Sequence, residues 1–251
     1  MAINNKQIYE VDCRIEGIES NDVIEALNSD AYEKVEAFED QLNFFIDEVL
    51  VTFKPRGVYK LYNPALCTLP PGYTEPAIKL VGTVMILKGK EAYTRMRKAT
   101  HCAVLAVNLG SPAEVEALQN RLCYTDFDKE LFDACCRVMI ERAADVLTAE
   151  IIKNAVELGL YTDERLSPGE SNFPLEARNK LLFYIQADKR IDLRVDKEFN
   201  FSSPYAIVSI VGLYDRSQKG RRRACGRCRY RDICSIRAIG MTCHGRKGTF
   251  K

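Results

Sequence analysis

The chain has 251 residues, 47% of them hydrophobic and 28% charged, with a formal net charge of +1, which makes it globular and long enough for one large domain or two modest ones. No stretch approaches the roughly 18 uninterrupted apolar residues of a membrane span, and the polar start, Met1 to Lys6, lacks the apolar core of a secretion signal. A membrane protein is excluded and a cytoplasmic location is expected. The charge is uneven: Lys219 to Lys251 holds 11 Lys/Arg against one acid, Asp232, while residues 1–218 hold 25 basic and 34 acidic residues, or −9. An acidic body therefore carries a basic tail, a pattern compatible with nucleic acid, a membrane surface or an acidic partner.

In chain order, Val35, Phe38, Leu42, Phe45, Ile46 and Val49 recur at helical spacing and predict an amphipathic helix between Asp30 and Leu50. Lys54-Pro55-Arg56-Gly57 reads as turn-rich, and Leu69-Pro70-Pro71-Gly72 blocks both helix and central strand. Ile78 to Leu87 and Cys102 to Val107 are short, apolar and partly β-branched, so both are expected to be strands. Ser111 before Pro112 has the N-cap then N1 order of a helix entrance, predicting a helix over Pro112 to Leu122. A longer helix is expected from about Asp126 to Leu158, with Leu131, Cys135, Val138, Val146, Leu147 and Ile151 inward. A loop from Gly159 to Phe173 follows, then a helix from Pro174 to about Gln186 and a buried strand from Tyr205 to Tyr214. Helices outnumber strands and no βαβ alternation is sustained, so the class is α+β.

Four of the ten cysteines, Cys225, Cys228, Cys234 and Cys243, are spaced C-x2-C-x5-C-x8-C among arginines. Thiolates this close in sequence suit a soft metal, since two ligands three positions apart clasp one atom. The ferredoxin run C-x2-C-x2-C-x3-C and the zinc-ribbon pair of C-x2-C knuckles are both absent. An iron-sulfur cluster, structural zinc and free thiols stay open on spacing alone. His244, beside Cys243, is a possible substitute ligand. Cys13, Cys67, Cys102, Cys123, Cys135 and Cys136 read as reduced, core-filling residues, and His101 as structural. Glu141 and Asp145, four apart on one helix face, read as a solvated face without chemistry.

The loop Arg165-Leu166-Ser167-Pro168-Gly169-Glu170-Ser171-Asn172-Phe173-Pro174 resembles the R-x-x-x-G-Y-x-x-x-P signature of the activation domain of cobalamin-dependent methionine synthase, with Glu170 in the tyrosine position. Lys54-Pro55-Arg56 with Val58-Tyr59 is similar to a K-P-R-x-V-Y element of that family. Leu109-Gly110-Ser111, Asp126, and Asp133-Ala134 with Glu141 and Asp145 look like its T-L-G-S segment and acidic helix, with Asn108 in place of the threonine. Glu198, Pro204, Val208 and Ser209 resemble its E…P…V-S element. The likeness covers roughly residues 45 to 215 and is closer to free-standing relatives of that domain.

The resemblance implies an α+β fold of helices packed on a mostly antiparallel sheet over residues 1–218, whereas the small metal-binding tail over 219–251 is expected from the cysteine spacing, since the methionine synthase domain lacks one. It further implies that Arg165, Ser167, Pro168, Gly169 and Glu170 line a surface for S-adenosylmethionine or for the corrinoid. A carboxylate neither stacks nor fills the volume of a tyrosine, so a corrinoid-docking loop without S-adenosylmethionine is the alternative. Several reductive activators of corrinoid proteins resemble this layout in carrying iron-sulfur cysteines. The function implied is recovery of inert Co(II) to Co(I) on a corrinoid protein or methyltransferase subunit, with an electron donor protein as a further partner. Arg221, Arg222, Arg223, Arg227, Arg229 and Arg231 would raise a cluster's potential or dock an acidic partner. Two other readings stand beside it: a nucleic-acid module with a zinc-stapled tail, poorly supported because Tyr230 is the only tail aromatic before Phe250, and a scaffold of a methyltransferase complex.

Overall fold

The computed structural model describes residues 7–27, 38–67 and 76–216. The strands are β1 (Ile8–Asp12), β2 (Arg56–Tyr62), β3 (Pro64–Cys67), β4 (Ala77–Leu80), β5 (Ile86–Leu87), β6 (His101–Asn108), β7 (Tyr161–Thr162) and β8 (Ala206–Tyr214). The helices are α1 (Ser20–Ala26), α2 (Glu39–Thr52), α3 (Lys90–Met96), α4 (Pro112–Leu122), α5 (Asp126–Glu157), α6 (Ala177–Tyr184) and α7 (Ala187–Arg190). The described elements form an α+β fold. Five strands pair antiparallel in the order β1-β2-β6-β8-β7, and β3-β4-β5 make a second antiparallel sheet.

Why β6 and β8 read as continuous apolar runs follows from their place in the centre of the larger sheet. Alternate residues point to opposite faces, and both faces are covered. Ala103, Leu105, Val107, Val211 and Leu213 face a core shared with α1, α2, α4 and α5. Cys102, Val104, Ala106, Val208 and Ile210 face a second core built with the small sheet, α3, α6 and α7. A strand buried on two sides has no polar face to show.

The long helix α5 closes the first face. Thr125 and Asp128 form a capping box at its start: the Thr125 hydroxyl accepts the Asp128 N–H at 3.1 Å, and the Asp128 carboxylate accepts the Thr125 and Tyr124 N–H groups at 2.7 and 2.9 Å. Ala143 and Ala144 are fully buried, and their small side chains keep the backbone near the sheet. Gly57 of β2 takes part in that approach, because a Cβ there would lie 2.6 Å from Cys13 Sγ and 2.9 Å from Leu147 Cδ2. Helix α4 has the expected entrance, with Ser111 as N-cap, Pro112 in the first turn and Glu114 completing a capping box.

Some elements differ from expectation. Arg56 and Gly57 belong to β2 instead of a turn, since pairing with Asn108 and Val107 outweighs the local turn signal. Ile78 to Leu87 is a hairpin, β4 and β5 around a bend at Val81–Val84 where Gly82 takes φ +83°. Strand β1 was not anticipated, and the helix after Pro174 begins at Ala177 and is followed by α7. The predicted helix from Asp30 is described from Glu39 onward, and Leu69 to Gly72 lies outside the described residues. No helix among the described residues is long and apolar enough to cross a membrane. Of the six cysteines read as core-filling, Cys13, Cys102, Cys135 and Cys136 are buried, whereas Cys67 and Cys123 are only half-buried.

Candidate functional site

The segment from Tyr161 to Ser167 runs along β8. Tyr161 and Thr162 pair with Tyr214 and Leu213, the Asp163 N–H bonds the Gly212 carbonyl at 3.0 Å, and Leu166 exchanges two 2.9 Å backbone bonds with Ile210. Leu166 is buried in the second core, so its neighbours Arg165 and Ser167 turn to the α5 side. The Arg165 guanidinium, 18% exposed, donates to Glu141 at 2.9 Å, pairs with Asp145 at 3.1 Å and lies 3.4 Å from the Thr148 hydroxyl. Ser167 Oγ is 2.8 Å from the Oγ of fully buried Ser209.

From Ser167 the chain makes a tight turn. The Glu170 N–H donates to the Ser167 carbonyl at 3.0 Å, with Pro168 second and Gly169 third at φ +98°. This is the type II arrangement, which asks for glycine at the third position. Pro168 is buried whereas Gly169 and Glu170 are exposed. The Glu170 carboxylate folds back to accept the Ser167 N–H at 3.3 Å. The Gly169 N–H donates to the Phe173 carbonyl at 2.8 Å, and the buried ring of Phe173 anchors the far side. Arg165, Ser167, Pro168, Gly169 and Glu170 thus belong to one hydrogen-bonded segment, with Pro168 buried and Gly169 and Glu170 exposed.

A polar row on α5 extends this surface. Asp133 accepts from the Tyr205 hydroxyl at 3.0 Å and pairs with Arg137 at 2.8 Å; Glu141 and Asp145 follow at four-residue spacing. Burial pushes the Tyr205 phenol well above its ordinary value, so it stays a hydrogen-bond donor. Glu141 and Asp145, read as a solvated face without chemistry, are more than half exposed and in addition pair with Arg165. Sequence spacing showed that the two acids share a face but gave no sign of the partner 20 residues beyond Asp145.

Other elements of the resemblance serve the frame. The Gly110 carbonyl accepts from Ser203 Oγ at 2.8 Å, the Leu109 N–H bonds the Tyr205 carbonyl at 3.1 Å, and Asn108 donates to the Ile191 carbonyl at 2.9 Å. Val58 and Tyr59 are buried in β2. The Tyr59 ring stacks on Tyr9, its oxygen accepts from Asn154, and burial lifts its phenol to about 12. Glu198 sits in a turn whose N–H groups bond Asp196, while Ser209, from the same element, reaches the Arg165 loop. Cys225, Cys228, Cys234, Cys243 and His244 lie outside the described residues. Among the described residues, no group of three His, Cys, Asp or Glu side chains is placed to hold a metal.

No protein-family model and no curated protein matches the sequence. The fold does match solved structures, among them the crystal structure of the MetH reactivation domain bound to AdoHcy, with a TM-score of 0.57 and 12% identity over 95% of this chain and 87% of that one. At that identity the two share a fold, and the α+β architecture is that of the reactivation domain.

Proposed function

We propose that this chain is an accessory activator of a corrinoid-dependent methyltransferase or its corrinoid protein. It docks on the cobalt cofactor of that partner and supports recovery of Co(II) to Co(I). The observation that carries this reading is the coincidence of a shared fold with a preformed turn at Ser167–Glu170, held between the sheet edge and α5. A surface meant to lie against a large cofactor needs to be rigid before contact, because ordering it on binding would cost affinity. Buried Pro168, the Ser167–Ser209 bond and the Arg165 pairs supply that rigidity.

The similar domain is bound to AdoHcy, and the turn here suits a ligand laid against it, since Gly169 is exposed and carries no side chain. Arg165 suits a ligand carboxylate less well, being already paired with Glu141 and Asp145. We therefore place corrinoid docking first and S-adenosylmethionine second. No heat in calorimetry at millimolar S-adenosylmethionine would leave the turn to docking alone.

For the tail, four thiolates without a histidine-rich set suit an iron-sulfur cluster, with zinc as the alternative donor match. A cluster held by Cys225, Cys228, Cys234 and Cys243 would supply the electron, taken in turn from a donor protein, and a cytoplasmic location belongs to the same reading. The deciding experiment titrates the protein, oxidised and reduced, against Co(II)-loaded corrinoid protein while the cobalt absorption is followed. Loss of the Co(II) band only with the reduced form supports the proposal. An unchanged spectrum with both forms overturns it.

A further inference from the structure

Both ends of the Arg165–Pro174 loop are held by one short element, α3, to which neither composition nor motif assigned a role. At the loop's entry the Arg95 guanidinium, 17% exposed, donates to the Glu164 carbonyl at 3.0 Å and reaches the Arg165 carbonyl at 3.4 Å. Its orientation is set by a 2.9 Å pair with Glu91 one turn earlier. From the other side, the Tyr214 hydroxyl lies 3.0 Å from the Arg95 carbonyl and 3.3 Å from the Asp163 carboxylate. At the loop's exit, Asn172 Oδ1 accepts the Glu91 N–H at 2.9 Å. The Asn172 carbonyl packs so close to Gly89 that a Cβ there would collide with it, and Gly89 has φ +97°. Glu91 thus joins the two ends, its N–H holding Asn172 and its carboxylate holding Arg95.

We propose that α3 is a clamp for the docking loop and that Arg95 is its positioning residue. Arg95 bonds the loop ahead of the Ser167–Glu170 turn and fixes the carbonyls from which that turn departs. The planar fork aims Nε at Glu91 while Nη1 reaches the Glu164 and Arg165 carbonyls, a fixed division of donors that a lysine ammonium does not reproduce. The functional half of this inference rests on the reading of the turn as the docking surface, whereas the clamp itself is a property of the unliganded chain.

The test measures amide hydrogen exchange in the full chain for Arg95→Ala, Arg95→Lys and Asn172→Ala. Loss of a charge-assisted bond to the loop backbone is expected to raise exchange across 166–173 about tenfold or more in Arg95→Ala. Amides of Ile140 to Leu147 should be unchanged, and Arg95→Lys should fall between wild type and Arg95→Ala. Asn172→Ala, which keeps the half-buried Arg95–Glu91 pair, provides a second reading if Arg95→Ala does not fold. Unchanged loop exchange in the variants that fold, or an equal rise in α5, overturns the clamp. Titration with Co(II)-loaded corrinoid protein separates the two halves: a wild type that does not bind removes the docking reading and leaves the exchange result to decide the clamp. Weaker binding by Arg95→Ala with loop-confined opening supports both.

Discussion

Ser167 and Ser209 meet hydroxyl to hydroxyl at 2.8 Å across the edge of the main sheet, and Ser209 is fully buried. The contact joins the entrance of the turn to a strand that cannot move without breaking its pairing with β6. Ser209→Ala leaves Ser167 without its partner at the price of about 1 kcal/mol. We expect a small drop in the urea midpoint and an increase in proteolytic cleavage within 165–173. An unchanged cleavage pattern would show that the Arg165 and Phe173 anchors are sufficient.

Arg165 faces two carboxylates that are each more than half exposed, and exposed ion pairs contribute little, about 0–1 kcal/mol. Arg165→Ala is therefore expected to cost less than about 1 kcal/mol in unfolding free energy while weakening association with a corrinoid protein. Glu141→Gln with Asp145→Asn frees the guanidinium and should leave stability close to wild type. If the double variant gains calorimetric heat with S-adenosylmethionine that wild type lacks, the carboxylates are the competitors that keep that ligand out.

Much of this frame was legible before any coordinate. Ser111-Pro112 marked a helix entrance by chain chemistry alone, and the apolar, partly β-branched run Cys102 to Val107 read as a strand. Gly159 to Phe173 read as a loop, without the type of its turn at Pro168-Gly169. What was not legible depended on partners distant in sequence. Glu141 and Asp145 needed Arg165, and Arg95 needed carbonyls about 70 positions away. Val81 and Val84 hid the hairpin bend, since exposed valines around Gly82 continue the apolar pattern of the flanking strands. Ile8 to Asp12 is short and mixed in polarity, so nothing local distinguished this edge strand.

Four thiols predict an alkaline limit. Burial pushes Cys13, Cys102 and Cys135 from an ordinary 9.0 up to about 12, and Cys136 well above its ordinary value. Below pH 9 the folded and unfolded forms are both protonated and stability does not depend on these groups. Above it the unfolded thiols ionise first, so unfolding releases protons and stability falls until the folded thiols ionise too. The urea midpoint should be level from pH 7 to about 8.5 and decline from about pH 9 onward, with a shallower decline in Cys102→Ala. A midpoint constant to pH 11 would contradict the burial.

Asp128 predicts the acid side. Burial raises its pKa, but the N–H groups of Thr125 and Tyr124, the Thr125 hydroxyl and the Gln41 amide outweigh this and hold it below its ordinary 3.8. Its contribution is present above the unfolded value and is lost as pH falls through the lower folded one. Asp128→Ala removes the second half of the capping box and the bond to α2, costing about 2 kcal/mol at neutral pH. The difference from wild type should shrink in unfolding curves taken below about pH 4. A constant difference down to pH 2 would mean that packing, and not the carboxylate, carries the effect.

Gly57 gives the sharpest test of how closely α5 lies on the sheet. Its missing Cβ leaves room for Cys13 Sγ on one side and Leu147 on the other, at 2.6 and 2.9 Å from where the carbon would be. Overpacking of this kind costs about 1–3 kcal/mol, so Gly57→Ala should lower the unfolding free energy by about 2 kcal/mol. Removing the nearer obstacle isolates the cause: Gly57→Ala with Cys13→Ala should destabilise less than the sum of the two single changes, because the added methyl occupies space the sulfur vacated. Leu147 still stands at the second contact, so the rescue should be partial, and adding Leu147→Val should extend it. Strict additivity in the double variant would place the strain in the strand backbone and would remove the steric account of the glycine in the K-P-R-G-V-Y run.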